Sequence, residues 1–151
     1  SIPSLVHNLL THELCHICIG QAFPRIETEE EKGDYQSRLD AITFNEGFAH
    51  LVSYQDMPID SVDWQSSVLR EVRQKSISRL REALLETEEA KRDKNLYEAY
   101  FGGYYDKFAS MAGMLYLADC WQEGGILALQ REFEKGWRGF AGRVAASSIE
   151  E

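Results

Sequence analysis

The segment "PSLVHNLLTHELCHICIG", Pro3 to Gly20, admits little but an α-helix. Pro3 suits a first helical position, and Gly20 suits the left-handed residue that closes a helix. At 100° per residue, Leu5, Leu9, His12, His16 and Ile19 fall on one stripe. Val6, Leu10, Glu13, Leu14 and Ile17 fill the neighbouring arc. Most of the circumference is apolar, which predicts a buried central helix. His12, His16 and Glu13 are unusual content for such a face.

The rest of the chain keeps the helical period. Gln21 to Asp40 is polar and acidic and reads as a surface loop with at most a helical turn, its run Glu29-Glu30-Glu31 solvated. A helix is predicted over Thr43 to Tyr54, and "MPID" breaks it at Pro58. Ser61 to Arg92 reads as one long helix with Val68, Val72, Ile77, Leu80 and Leu84 as its apolar stripe. After "FGGYYD", helices are predicted over Tyr104–Trp121, Ile126–Glu134 and Trp137–Ala146. No alternating strand pattern, internal repeat or linker stands out. The expected architecture is a single mostly α domain over residues 1–151, with little or no sheet.

With 151 residues, such a domain buries roughly 70% of the surface its unfolded chain exposes. The formal charge of −9 disfavours nucleic acid and anionic membrane as partners, because both need a basic surface. No apolar run approaches the ~20 residues of a membrane span. Three cysteines, Cys15, Cys18 and Cys120, cannot all pair within one chain. That odd count fits a reducing, cytoplasmic compartment better than a disulfide framework. Cys15 and Cys18 sit in mid-helix, away from the helix N-terminus that stabilises thiolates, and read as small buried or semi-buried thiols.

His12-Glu13-Leu14-Cys15-His16 carries the chemistry. Residues four apart on a helix rise about 6 Å and turn only 40° from one another, so His12 and His16 can aim at one ion. Glu13, rotated by 100°, can approach water on that ion without ligating it. Zinc lowers the pKa of bound water to about 7, and a nearby carboxylate can take the proton. The alternative is a pair of satisfied core histidines beside a surface glutamate. A third ligand decides between them. The extended pattern HExxHxxGxxH fails, because Ile19 and Ala22 stand where Gly and His are needed. Glu46, in "ITFNEGFAHLVSY", is a carboxylate in an apolar helical context whose burial coordination would offset. A capping box, Thr43-x-x-Glu46, is its competing role. His50, one turn later, is an alternative ligand or a group that orients the ligands.

"HELCH" followed by "NEGFA" resembles the gluzincin metallopeptidases, above all the aminopeptidase-N-like family. The resemblance implies that His12, His16 and Glu46 hold Zn2+ and that Glu13 is the general base. Tyr105-Asp106-Lys107 resembles the family's Tyr-x-Lys-Gly element, which implies that Tyr105 donates to the tetrahedral oxyanion, with Tyr104 able to replace it. Residues 17 to 45, between His16 and Glu46, form a longer spacer than in the close family, whose spacing would reach only Tyr35. Phe108 stands where the family has Gly, and the Gly-x-Met-Glu-Asn element that grips a free amino terminus is absent. The upstream sheet that aligns a peptide is not visible either, and residues before Ser1 are expected to complete the catalytic domain. The expectation is therefore a helical, zincin-type zinc metallopeptidase acting on a peptide or protein substrate. Its rivals are a zinc-binding pseudo-peptidase and a helical interaction module without chemistry.

Overall fold

The computed structural model describes residues 2–147. Seven α-helices follow in chain order: α1 (Ile2–Ala22), α2 (Ile26–Lys32), α3 (Tyr35–Ser53), α4 (Ser67–Leu85), α5 (Glu89–Tyr100), α6 (Phe108–Lys135) and α7 (Phe140–Ala146). Short 3-10 turns lie at Tyr54–Asp56, Ile59–Ser61 and Tyr104–Asp106. No strand occurs among the described residues, so the mostly α expectation holds.

The centre of the fold is α3. It starts at Asp34, whose carboxylate accepts from the Ser37 N–H at 2.8 Å and so satisfies one of the helix's free donors. From Leu39 to Leu51 nearly every side chain is buried, and α3 packs against α1, α2, α5, α6 and α7. Its closest neighbour is α6. A Cβ added to Gly47 would lie 2.9 Å from the Gly113 carbonyl carbon, so these glycines let the two backbones touch. Beside that crossing, Phe44 packs against Phe23, Phe48, Phe133 and Phe140 with ring centroids 4.9–5.8 Å apart. Fully burying a ring such as that of Phe44 or Phe140 contributes about 1.5–3 kcal/mol.

Polar ties fix the periphery. Asp40 of α3 accepts from the Gly139 and Ala141 N–H groups at 2.8 and 3.0 Å, capping α7 from a distant part of the chain. Arg73 of α4 donates to Asp119 of α6 at 2.8 Å. Tyr35 donates its hydroxyl proton to the Ala83 carbonyl at 2.6 Å and accepts from Asn95, joining α3, α4 and α5.

Several local expectations change. The helix carrying HELCH is not the buried centre. α1 lies along one side of α3, burying Ile19, while Val6, Leu9, Leu10, Leu14 and Ile17 are each more than half exposed. Apolar residues surround that helix, but one neighbouring helix can cover only one side of it. The side chain of Leu5 lies outside the described residues. The acidic stretch after Gln21 is not a loop: it holds α2, anchored by fully buried Ile26, and the first turns of α3. The long helix read over Ser61–Arg92 is two, α4 and α5, separated by Glu86–Glu88. There the Glu86 carboxylate accepts from the Thr87 and Glu88 N–H groups and competes with helix continuation. α6 carries a break at Gly125 (φ 63, ψ −152), where the "QEGG" signal places it.

Candidate metal centre

Glu46 leaves α3 toward α1 and meets both histidines of the HELCH segment. Its Oε2 lies 3.1 Å from His16 Nε2 and its Oε1 lies 3.5 Å from His12 Nε2. The two Nε2 atoms are 3.0 Å apart. A capping role for Glu46 does not arise, because α3 begins well before Thr43 and the Thr43 hydroxyl donates to the Leu39 carbonyl at 2.6 Å.

The hydrogen bonds behind the histidines determine which atoms face the cluster. Asn45 donates its amide N–H to Glu30 Oε1 at 2.8 Å, so its oxygen is turned to His16 Nδ1, 2.7 Å away. That oxygen can only accept, so Nδ1 carries a proton, and in the neutral ring Nε2 of His16 presents a lone pair. Ser53 gives its hydroxyl proton to the Ala49 carbonyl at 2.7 Å, and His12 Nδ1 lies 3.3 Å from the same oxygen. Donation there leaves His12 Nε2 as a second lone pair. Two lone pairs and a carboxylate therefore converge, an arrangement that repels itself unless a proton or a metal ion lies between the groups. A tetrahedral ion with bonds of 2.0–2.1 Å separates its ligands by about 3.3 Å, close to the three distances seen.

His50 completes the cluster from one turn along α3. His12, Glu46 and His50 each offer a ligand atom within 4.8 Å of the others and could hold a metal ion. Both nitrogens of His50 are nonetheless engaged: Nδ1 donates to the Glu46 carbonyl at 2.9 Å, and Nε2 accepts from Lys107 Nζ at 2.9 Å. Its ring stands edge-on to His12, centroids 4.7 Å apart. His50 can therefore ligate only by giving up one of these bonds, whereas held as it is it braces the cluster.

The electrostatics follow. Burial disfavours charge on His16, but the hydrogen bond and charge of Glu46 outweigh it and raise its pKa to about 9. Glu46 is held well below the usual carboxylate range: burial opposes ionisation, and His12 and His16 overcome it. His50 falls to about 4 through burial and the charge of Lys107. Glu30 rises to about 7, chiefly by burial. Cys15 is pushed up to about 12 by burial and the neighbouring Cys18 and Glu46, so without metal it stays a thiol. Cys18 is exposed rather than buried, and all three cysteines are free.

A cleft of about 320 Å³ borders the cluster at His12 and His50. Glu13, exposed on α1, lies on its wall with Leu9, and His12, His50, Tyr104 and Lys107 also line it. Tyr105 lies elsewhere. Its hydroxyl meets that of Tyr54 at 2.8 Å, and it lines a neighbouring groove of about 500 Å³ with Tyr97 and Phe101.

Asn45, Glu30 and Ser53 escaped the sequence reading, and Lys107 entered it only as part of the Tyr105-Asp106-Lys107 element, with no role of its own. Asn45 stands beside a motif residue, but nothing local marks Glu30, read there as part of a solvated run. Asn45→Ala is expected to weaken metal affinity by roughly 10–100-fold, because His16 loses the acceptor that fixes its tautomer. Metal titration of the two proteins measures it, and equal affinities would refute the bracing role.

Compared with known proteins, the chain matches no family model, no curated protein and no solved structure. What the fold and the cluster define is a class: a mostly α domain with a His/Glu group suited to a metal ion.

Proposed function

We propose that this chain is a zinc-dependent peptidase in which His12, His16 and Glu46 hold the metal and Glu13 is the general base. One observation carries the reading: the Nε2 atoms of His12 and His16 lie 3.0 Å apart, and each lies 3.1–3.5 Å from one of the two Glu46 carboxylate oxygens, with each imidazole fixed from behind. Two nitrogens and one oxygen, with no thiolate, match the donor set of catalytic zinc sites that keep a fourth position open. Bound zinc would supply a Lewis acid that polarises a scissile carbonyl and acidifies water.

The chain's own groups do the rest. Glu13 is on the same wall as His12 and open to the cleft, so it can take a proton from the attacking water and pass it to the departing amine. Asn45 and Ser53 keep the imidazoles in one tautomer. The resemblance assigns the oxyanion to Tyr105, but its contact with Tyr54 gives that role little support.

Anomalous diffraction at the zinc edge, together with peptide-library cleavage, tests the proposal. One ion between His12, His16 and Glu46 is expected, with cleavage that stops on adding chelator. No zinc uptake overturns the site; zinc without chelator-sensitive cleavage overturns the peptidase and leaves a zinc-binding pseudo-peptidase.

A further inference from the structure

We propose that Lys107 meets the scissile carbonyl oxygen as it becomes negative, an inference that rests on the peptidase reading. Lys107 immediately precedes α6, and its Nζ donates to His50 Nε2 at 2.9 Å. His50 packs edge-on against His12, so the ammonium is one imidazole removed from the metal ligands. It shares its cleft with Glu13.

The hydrogen-bond inventory leaves Lys107 with capacity to spare. An ammonium has three donors, and His50 takes one. Its other close neighbour is the Tyr104 ring, 4.8 Å from Nζ, and no described carboxylate forms an ion pair with it. A cation in a cleft with no carboxylate in contact, only the longer-range charge of Glu46, is suited to a charge that arrives with the substrate. His50 is the positioning residue: its Nδ1 is committed to the Glu46 carbonyl, so its Nε2 must accept and thereby aims the ammonium.

The step balances without further reagents. As the water oxygen bonds to the carbonyl carbon, the C=O π pair moves onto the carbonyl oxygen and Glu13 receives the water's proton. Lys107 donates a hydrogen bond to that oxygen and keeps its own proton. When the C–N bond breaks, the oxygen's pair re-forms the C=O bond and the amine leaves with the proton from Glu13.

The test uses the zinc-loaded full chain with Lys107→Met and Lys107→Arg. It reads zinc content, kcat and KM on a cleaved peptide, and calorimetric affinity for a phosphinic Ala–Ala pseudodipeptide, whose tetrahedral anion mimics the developing charge. Lys107→Met is expected to keep its zinc and its KM, lose about 10²–10³-fold in kcat, and bind the phosphinate at least about tenfold more weakly. Lys107→Arg should recover part of both losses. Full zinc with unchanged kcat and phosphinate affinity in Lys107→Met overturns the assignment. If the unaltered chain takes zinc and phosphinate but cleaves no peptide, the peptidase reading falls, and the proposed step falls with it. A weaker phosphinate complex in Lys107→Met then supports only the anion contact.

Discussion

Glu13→Gln is expected to leave zinc fully bound and to slow peptide hydrolysis by about 10²–10⁴-fold. Gln keeps the size and polarity of the side chain but cannot accept the water's proton. Glu13 is exposed on α1 and absent from the contacts that join His12, His16 and Glu46, so the ligand set should not register the change. Glu46→Ala is the complementary variant. It removes the only carboxylate of the set and should weaken zinc binding by more than the roughly 10–100-fold that an outer partner costs. Elemental analysis and kcat/KM, measured on both variants, separate the roles. Normal hydrolysis by Glu13→Gln would sink Glu13 as the base, and normal zinc content in Glu46→Ala would sink it as a ligand.

The residues given these proposed roles were legible in the sequence to different degrees. His12 and His16 follow from helical geometry, because residues four apart on one helix face the same way. Glu46 was a candidate through its apolar surroundings and a ligand only through the "NEGFA" resemblance, and α3 places it against α1. The bracing groups belong to tertiary structure. Glu30 comes from α2, fifteen positions before Asn45, and Lys107 reaches His50 across fifty-seven positions. No periodicity in one segment reports a partner in another.

The fold was legible for the same reason and to the same depth. Type of structure followed from the 3.6-residue period, so α1, the second half of α3, and α6 with its Gly125 break were readable. Boundaries set by competing side chains were not. The Glu86 carboxylate that parts α4 from α5 lies in a charged stretch without Gly or Pro. Nor did hydropathy identify the central element. α1 is the more evenly apolar helix, yet α3 is the one enclosed on several sides, because its glycine lets α6 approach closely.

Zinc affinity should rise about tenfold per pH unit between pH 6 and 8, roughly 100-fold in all, because the ion must displace a proton. The source of that proton is His16. Without metal, its pKa is raised to about 9 by Glu46, despite burial, so below pH 9 the imidazole carries the proton that a ligand has to lose. Each unit of acidification thus leaves about tenfold less of the deprotonated form. Glu46, held well below the usual carboxylate range, stays ionised across this window, and His50, at about 4, stays neutral. The gain should level off as pH passes 9, where His16 is already free. Competition titration against a chelator of known pH dependence measures the slope. A flat profile from pH 6 to 8 would mean that His16 is unprotonated in the metal-free protein, and that the two facing lone pairs are relieved in some other way. The same linkage gives a check on the ligand set, since Asn45→Ala frees His16 Nδ1 from its acceptor and should lower its pKa, moving the plateau to lower pH while weakening the affinity reached there.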